Sequence, residues 1–322
     1  MPREIAFHDL WHDEASFPSL WRTGACVLLL CLACSIPGFA PQFSGFASMV
    51  LLYVLLATGL NLELRLGGLP DFAYVSWFAV GAYSDALIAR YSGLPFWVCL
   101  PFAMFLAALG AVFVTSALLR RRLQQFGILT LGFGVSIQII LSRWAPFSLL
   151  KFPTIPADVA YWILVAATVA AMLVSGCVRH SPLARVLRAA RQDEIACHSI
   201  GVDIGSCRLS ILVIGAAMAG GAGCLFAAGQ GSVGPDDFDV SITAVVFMVA
   251  MVGGRHGQLG IIFAAIALAA MLQLLPAASE YRLLIAGAGL VSCAIWRAIP
   301  KGNVAQTEHG ENSLTAAEIG AE

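Results

Sequence analysis

Charged residues are scarce in this sequence. Asp, Glu, Lys and Arg make up 11% of its 322 residues, and lysine occurs only as Lys151 and Lys301. A soluble globular chain carries about a quarter charged residues, so too little polar surface is present to face water. The absences extend to chemistry. No G-x-x-x-x-G-K-[ST] segment occurs, which excludes a phosphate cradle of the P-loop type. H-E-x-x-H and G-x-S-x-G are missing too, and no two apolar segments offer facing aspartates. Neither ATP hydrolysis nor intramembrane enzyme chemistry is expected of this chain. Basic and acidic residues number 18 and 19, so net charge gives no argument for a nucleic-acid partner, and none is expected.

Long apolar runs are what the sequence has instead. Hydrophobic residues make up 59% of it, and its mean hydropathy is +0.85. About 20 predominantly apolar residues cross a hydrocarbon core. Runs of that kind lie at 23–40, 46–64, 71–89, 95–119, 126–142, 158–178, 209–228, 240–252, 258–276 and 281–297. The expected fold is therefore an all-α polytopic transmembrane bundle of about ten spans. The run at 240–252 is short, and is either re-entrant or extended by its flanks. Of the 18 cations, only Arg90, Arg143, Lys151 and Arg282 fall on the side opposite the N-terminus. The positive-inside rule then places both termini in the cytoplasm. The expected organisation is a cytoplasmic N-terminal tail (1–22), a transmembrane domain (23–300) with a cytoplasmic loop at 179–208, and a polar, disordered tail (301–322). The acidic lead before the first run reads as that of a retained anchor, not a signal peptide.

Side chains with chemical potential are few. Cys31 and Cys34 form a C-x-x-C inside an apolar run, where thiols act as small apolar groups. His8 and His12, beside Asp9 and Asp13, have metal-ligand spacing, but a polar tail helix accounts for them better. No metal site is expected. Glu63 and Arg65 fall at the inner interface and Asp85 near the outer end of its run, so no ionisable group reads as a mid-span coupling site. Energy for any transport is expected from elsewhere. Asn61, Tyr74, Ser136, Gln138 and Gln273 are the polar candidates for a translocation path, or else interhelical hydrogen bonds. Gly215, Ala219 and Gly223 form a small-residue ridge suited to close helix packing.

The most informative segment is polar. Ser181 is a good N-cap and Pro182 suits the first helical position. Leu183, Val186, Leu187 and Ala190 then recur at helical spacing as one apolar stripe, flanked by Arg185, Arg188 and Arg191. Asp193 and Glu194 follow, and Gly201 ends the next segment. Such a helix either lies on lipid headgroups or docks in a groove on a cytosolic partner. The two acids would repel an anionic lipid surface.

That segment, S-P-L-A-R-V-L-R-A-A-R-Q-D-E-I-A over 181–196, followed by Gly201-Val202-Asp203 and Arg208-Leu209, resembles the LivM-type permeases of branched-chain amino acid ABC importers. The likeness continues through Ala219-Gly220-Gly221-Ala222-Gly223, Gly253-Gly254 and Gly257-Gln258-Leu259-Gly260. In the N-terminal half it includes Gly59-Leu60-Asn61-Leu62, Phe78 to Tyr83 and Thr130 to Gly134. It implies a multi-pass permease of the bacterial inner membrane. The implied partners are two ABC ATPase subunits, a second related permease and an extracytoplasmic substrate-binding protein, with ATP and Mg held on the ATPases. It also implies that Ser181, Pro182, Leu183, Arg185, Leu187, Arg188, Arg191, Asp193, Glu194 and Gly201 belong to the ATPase-coupling loop. Branched-chain amino acids are the expected solutes, with urea and short amides as the alternative, and a stand-alone secondary transporter as the other class. The chain departs from the family where Trp144–Asp158 lacks a T-G-G-x-x-G-type segment, and where Ala184 replaces the usual glycine.

Overall fold

Every apolar run from 46–64 to 258–276 folds as a helix, because backbone groups in hydrocarbon must be satisfied within their own segment. The computed structural model describes residues 44–93, 95–119, 123–143, 150–151, 155–199, 201–254, 257–274 and 287–292. The expected run at 23–40, both expected tails, Cys31, Cys34, His8 and His12 lie outside the described residues, as do most of 281–297 and the side chain of Gln273.

The first described helix, α1 (Ser44–Leu62), continues as a π-helical turn (Glu63–Gly67) that stops at Gly68, whose φ of 72° suits only glycine. Helix α2 (Tyr74–Ser92) starts later than its apolar run, because the Asp71 carboxylate takes the Ala73 amide at 2.8 Å and turns the chain. Then come α3 (Phe96–Leu118), α4 (Leu123–Arg143) and α5 (Ala157–His180). Two short polar helices follow, α6 (Pro182–Gln192) and α7 (Glu194–Ser199). The long α8 (Ile204–Gln230) leads to a 3-10 turn (Pro235–Phe238), α9 (Val240–Gly254) and α10 (Gly257–Leu274). The turn and α9 together give 20 residues, so the run at 240–252 is long enough to cross by borrowing from its flank. The all-α expectation needs one small addition. Strands β1 (Leu150–Lys151) and β2 (Ser232–Val233) pair antiparallel as a clip, Leu150 opposite Val233.

Among the described residues, six helical segments are long and apolar enough to cross a membrane. They divide into centre and rim. In α8, 78% of the most apolar stretch is buried, against 11% in α4. Side chains such as Phe105, Phe113, Ile128 and Ile139 stand exposed on α3 and α4. In water such a surface would be untenable; in lipid it costs nothing.

The centre is built by backbone contact. A methyl group on Gly223 would overlap the Phe78 carbonyl and the Ala82 amide of α2. One on Gly81 would overlap the Gly220 carbonyl, and Gly220 lies against Ala107 of α3. The Gly215–Ala219–Gly223 ridge thus has partners: α2 meets its Gly223 end, and Ala219 is fully buried. Polar ties reinforce the core. The Asp85 carboxylate accepts from the thiols of Cys99 and Cys224, joining α2, α3 and α8. Buried Gln258 of α10 donates to the Met172 carbonyl of α5 at 2.8 Å. At one end Phe78, Phe226 and Phe238 cluster, with ring centroids 5.2 Å and 5.5 Å from Phe78.

Gly223→Val should therefore separate α2 from α8 and destabilise the bundle by roughly 3 kcal/mol, the upper end of the usual over-packing cost. Gly132→Val is the control, since that position on α4 meets no atom within 4 Å. Thermal unfolding in detergent checks the pair. Equal stability of the two variants would contradict the packing described.

Candidate functional site

Helix α6 begins where α5 ends. The Ser181 hydroxyl donates to the Val178 carbonyl at 2.6 Å and accepts from the Ala184 amide at 3.4 Å, so one side chain closes α5 and opens α6. A single residue, Ser181, joins the two helices. The apolar stripe of α6 accordingly packs on its own bundle: Ala184, Leu187 and Ala190 are buried in the main core, with Leu183 partly buried against it. The stripe therefore faces this chain's own bundle, and what the loop offers to a partner or to lipid lies on its other faces. Helical periodicity reveals that a stripe exists, and the short tether decides what it faces.

The flanking charges are also engaged from within. Arg188 donates to the Arg179 carbonyl, capping the end of α5. Glu194 pairs with Arg208 at 2.9 Å and 3.4 Å, fastening α7 to α8. Asp193 caps α7 through the Ala196 amide at 2.9 Å. Asp203 caps α8 through the Gly205 and Ser206 amides, and the Ser206 hydroxyl holds its carboxyl below the usual range. Gly201, at φ 83°, makes the turn between α7 and α8. What the loop leaves exposed includes Pro182 and Arg185 of the expected set, and beside them Ala189, Gln192 and, above all, Ile195, which is 84% exposed. Sequence reasoning misses Ile195 because it falls outside the α6 stripe, in a helix too short to show a period.

Arg191 is the one α6 cation that points into the bundle. Its guanidinium donates to the Leu64 carbonyl at 2.8 Å and lies over Gly68, where a side chain would crowd it. Burial, with Arg65 and Arg208 nearby, lowers its pKa to about 10, so it stays charged at neutral pH.

The end of α1 that it grips, and the segment that opens α2, carry buried polar groups. Glu63 is fully buried, wedged onto the bare backbone of Gly215, and its carboxyl has no hydrogen-bond partner among the described residues. Asn61, equally buried, abuts Gly254 of α9, and its amide has no such partner among the described residues either. Asp71 is satisfied by the Ala73 amide and the Trp77 indole. The Tyr74 hydroxyl lies against Gly59. Glu63 thus sits inside the packed bundle, a burial that its place near the end of an apolar run does not reveal. A run has no way to show that α8 covers its end.

Of the five path candidates, the four whose side chains are described separate. Asn61 and Tyr74 lie at the α1 break. Gln138 lines a cavity of about 130 Å³ between α2, α4 and α9, with Phe72, Val135, Thr243 and Phe247, and donates to Asp239 at 2.8 Å. Ser136 is exposed on α4, and its hydroxyl bonds the Gly132 carbonyl of its own helix.

The wedge of Glu63 on Gly215 predicts an energetic coupling. Gly215→Ala should destabilise the wild-type bundle and be close to neutral beside Glu63→Ala, a coupling of about 1 kcal/mol. A double-mutant cycle of unfolding midpoints measures it; additive effects would refute the contact.

Comparison with known proteins agrees with the folded arrangement. The profile of a family described as branched-chain amino acid transport system / permease component matches residues 42–294. The chain is 33% identical over 318 residues to the high-affinity branched-chain amino acid transport system permease protein LivM of Escherichia coli, covering 87% of this chain and 74% of that protein. It is 33% identical over 316 residues to the LivM protein of Salmonella typhimurium, with the same coverage. No solved structure matches the chain.

Proposed function

The chain belongs to the branched-chain amino acid transport permease family, and from that premise we propose that it is the membrane-spanning subunit of an ATP-driven importer for branched-chain or related amino acids. It is an integral, multi-pass membrane protein of the inner membrane and a transport subunit, not an enzyme. In this reading two ABC ATPase subunits bind ATP and Mg, a second related permease completes the membrane unit, and an extracytoplasmic binding protein delivers solute. Ten spans set both termini and the α6–α7 pair in the cytoplasm. The cavity beside Gln138 is mostly apolar with a few polar groups, which suits a branched aliphatic side chain better than urea or a short amide.

One observation carries the docking part of this reading. Helices α6 and α7 are fastened to the bundle by their inner faces, yet present Ile195 almost fully exposed, with Gln192 and Arg185 exposed as well. An isolated isoleucine in a polar loop is ordinary; one on a rigid platform between bundle helices is a good anchor for a partner's pocket. The buried carboxyl of Glu63 favours a second reading, a secondary transporter driven by an ion gradient, because intramembrane acids commonly mark ion paths.

Ile195→Asp should leave insertion intact and weaken retention of the ATPase subunits more than tenfold, as expected for loss of a contact worth about 2 kcal/mol. Leucine uptake by the assembled transporter should fall in parallel. Co-purification and uptake are read together; a variant that keeps both normal would remove α7 from the interface. Single cysteines at positions 189 and 235 should label from the cytoplasm and from outside, respectively. The reverse pattern would invert the topology.

A further inference from the structure

The α6 helix faces two ways, and its inward contact with α1 is more specific than packing requires. A helix ends with four carbonyls that lack intrahelical partners and carry the negative pole of its dipole. At the end of α1 this pole is prolonged by a π-helical turn, and the Leu64 carbonyl within that turn receives the Arg191 guanidinium at 2.8 Å. Gly68, immediately beyond, makes room: a methyl there would stand 3.3 Å from Nη2 and 3.5 Å from Nε of Arg191. The contact joins residues 127 positions apart and ties a loop outside the membrane segments to a break inside them.

The end of α1 touches the rest of the bundle through polar side chains set on bare backbone. Glu63 bears on Gly215 of α8, and Asn61 bears on Gly254 of α9. Neither side chain is hydrogen-bonded among the described residues, so neither is locked to one position by a directional bond. Whatever displaces the end of α1 must therefore act on α8 and α9 together. Arg191 is the charged grip through which α6 holds that end.

We propose that Arg191 is a positioning residue of the transport cycle, passing displacement of α6 to the π-helical end of α1 and so to α8 and α9. This rests on the reading of α6 and α7 as the ATPase-docking loop, but assigns Arg191 to transmission and not to docking. Its guanidinium faces the bundle, whereas Arg185 and Ile195 face outward.

The test uses the assembled transporter in vesicles with Arg191→Gln, Arg191→Lys and Ile195→Asp, reading ATPase retention, ATP hydrolysis and leucine uptake. Arg191→Gln should retain the ATPase subunits and hydrolyse ATP, while solute imported per ATP falls about tenfold, within the usual range for coupling between sites. Lysine, which keeps one charged donor to the Leu64 carbonyl, should restore part of that ratio. A merely structural residue would lower uptake and hydrolysis together and leave the ratio unchanged. The proposal is overturned if the Gln variant imports with normal stoichiometry, if it loses the ATPase subunits, or if neither Arg191 variant inserts. Failure of the docking reading is separate: it would show as Ile195→Asp holding its ATPases, whatever Arg191 does.

Discussion

The structure depends on the direct approach of α8 to α2 and α3. In lipid, apolar side chains gain nothing by leaving their surroundings for one another, so helices associate through close packing and a few polar ties. Gly81, Gly220 and Gly223 bring three backbones together, and the Asp85 carboxylate adds hydrogen bonds from two thiols at the same junction. With α8 fixed at the centre, its first turns project beyond the apolar segment. There Arg208 catches Glu194 and anchors the polar loop. The loop's position is thus a consequence of the core, not an independent feature.

From this arrangement the α1 break acquires its meaning. A π-helical turn ending at a glycine is a weak point in a membrane helix, since it leaves carbonyls without intrahelical partners. The structure answers with a guanidinium from outside the membrane segments and with Glu63 pressed against α8. Three elements meet at this point: the polar α6–α7 loop, the broken helix and the central helix. Buried Glu63 and Asn61 lie at that junction.

Much of this was legible in the sequence. The apolar runs, the Ser181–Pro182 helix start and the small-residue ridge of α8 all follow from local rules, and the helices stand where those rules put them, to within a few residues. The arrangement of faces was not legible. The stripe of Leu187 and Ala190 has the period of a docking surface, yet the hydrogen bonds of Ser181 fold it back onto the bundle. The burial of Glu63 arises from tertiary packing alone, and Ile195 carries no pattern at all. Gln138 and Ser136, two residues apart, read alike; the pitch of α4 turns one toward a cavity and the other outward.

In the proposed reading this chain supplies the path and the levers, and the driving force comes from partner ATPases. The most direct test of that reading is uptake of labelled leucine by proteoliposomes. The chain together with its ATPases, second permease and binding protein should accumulate leucine only when ATP is supplied. The chain alone, under an imposed proton or sodium gradient, should accumulate none. Gradient-driven uptake by the isolated chain would contradict the account and make Glu63 an ion-coupling site.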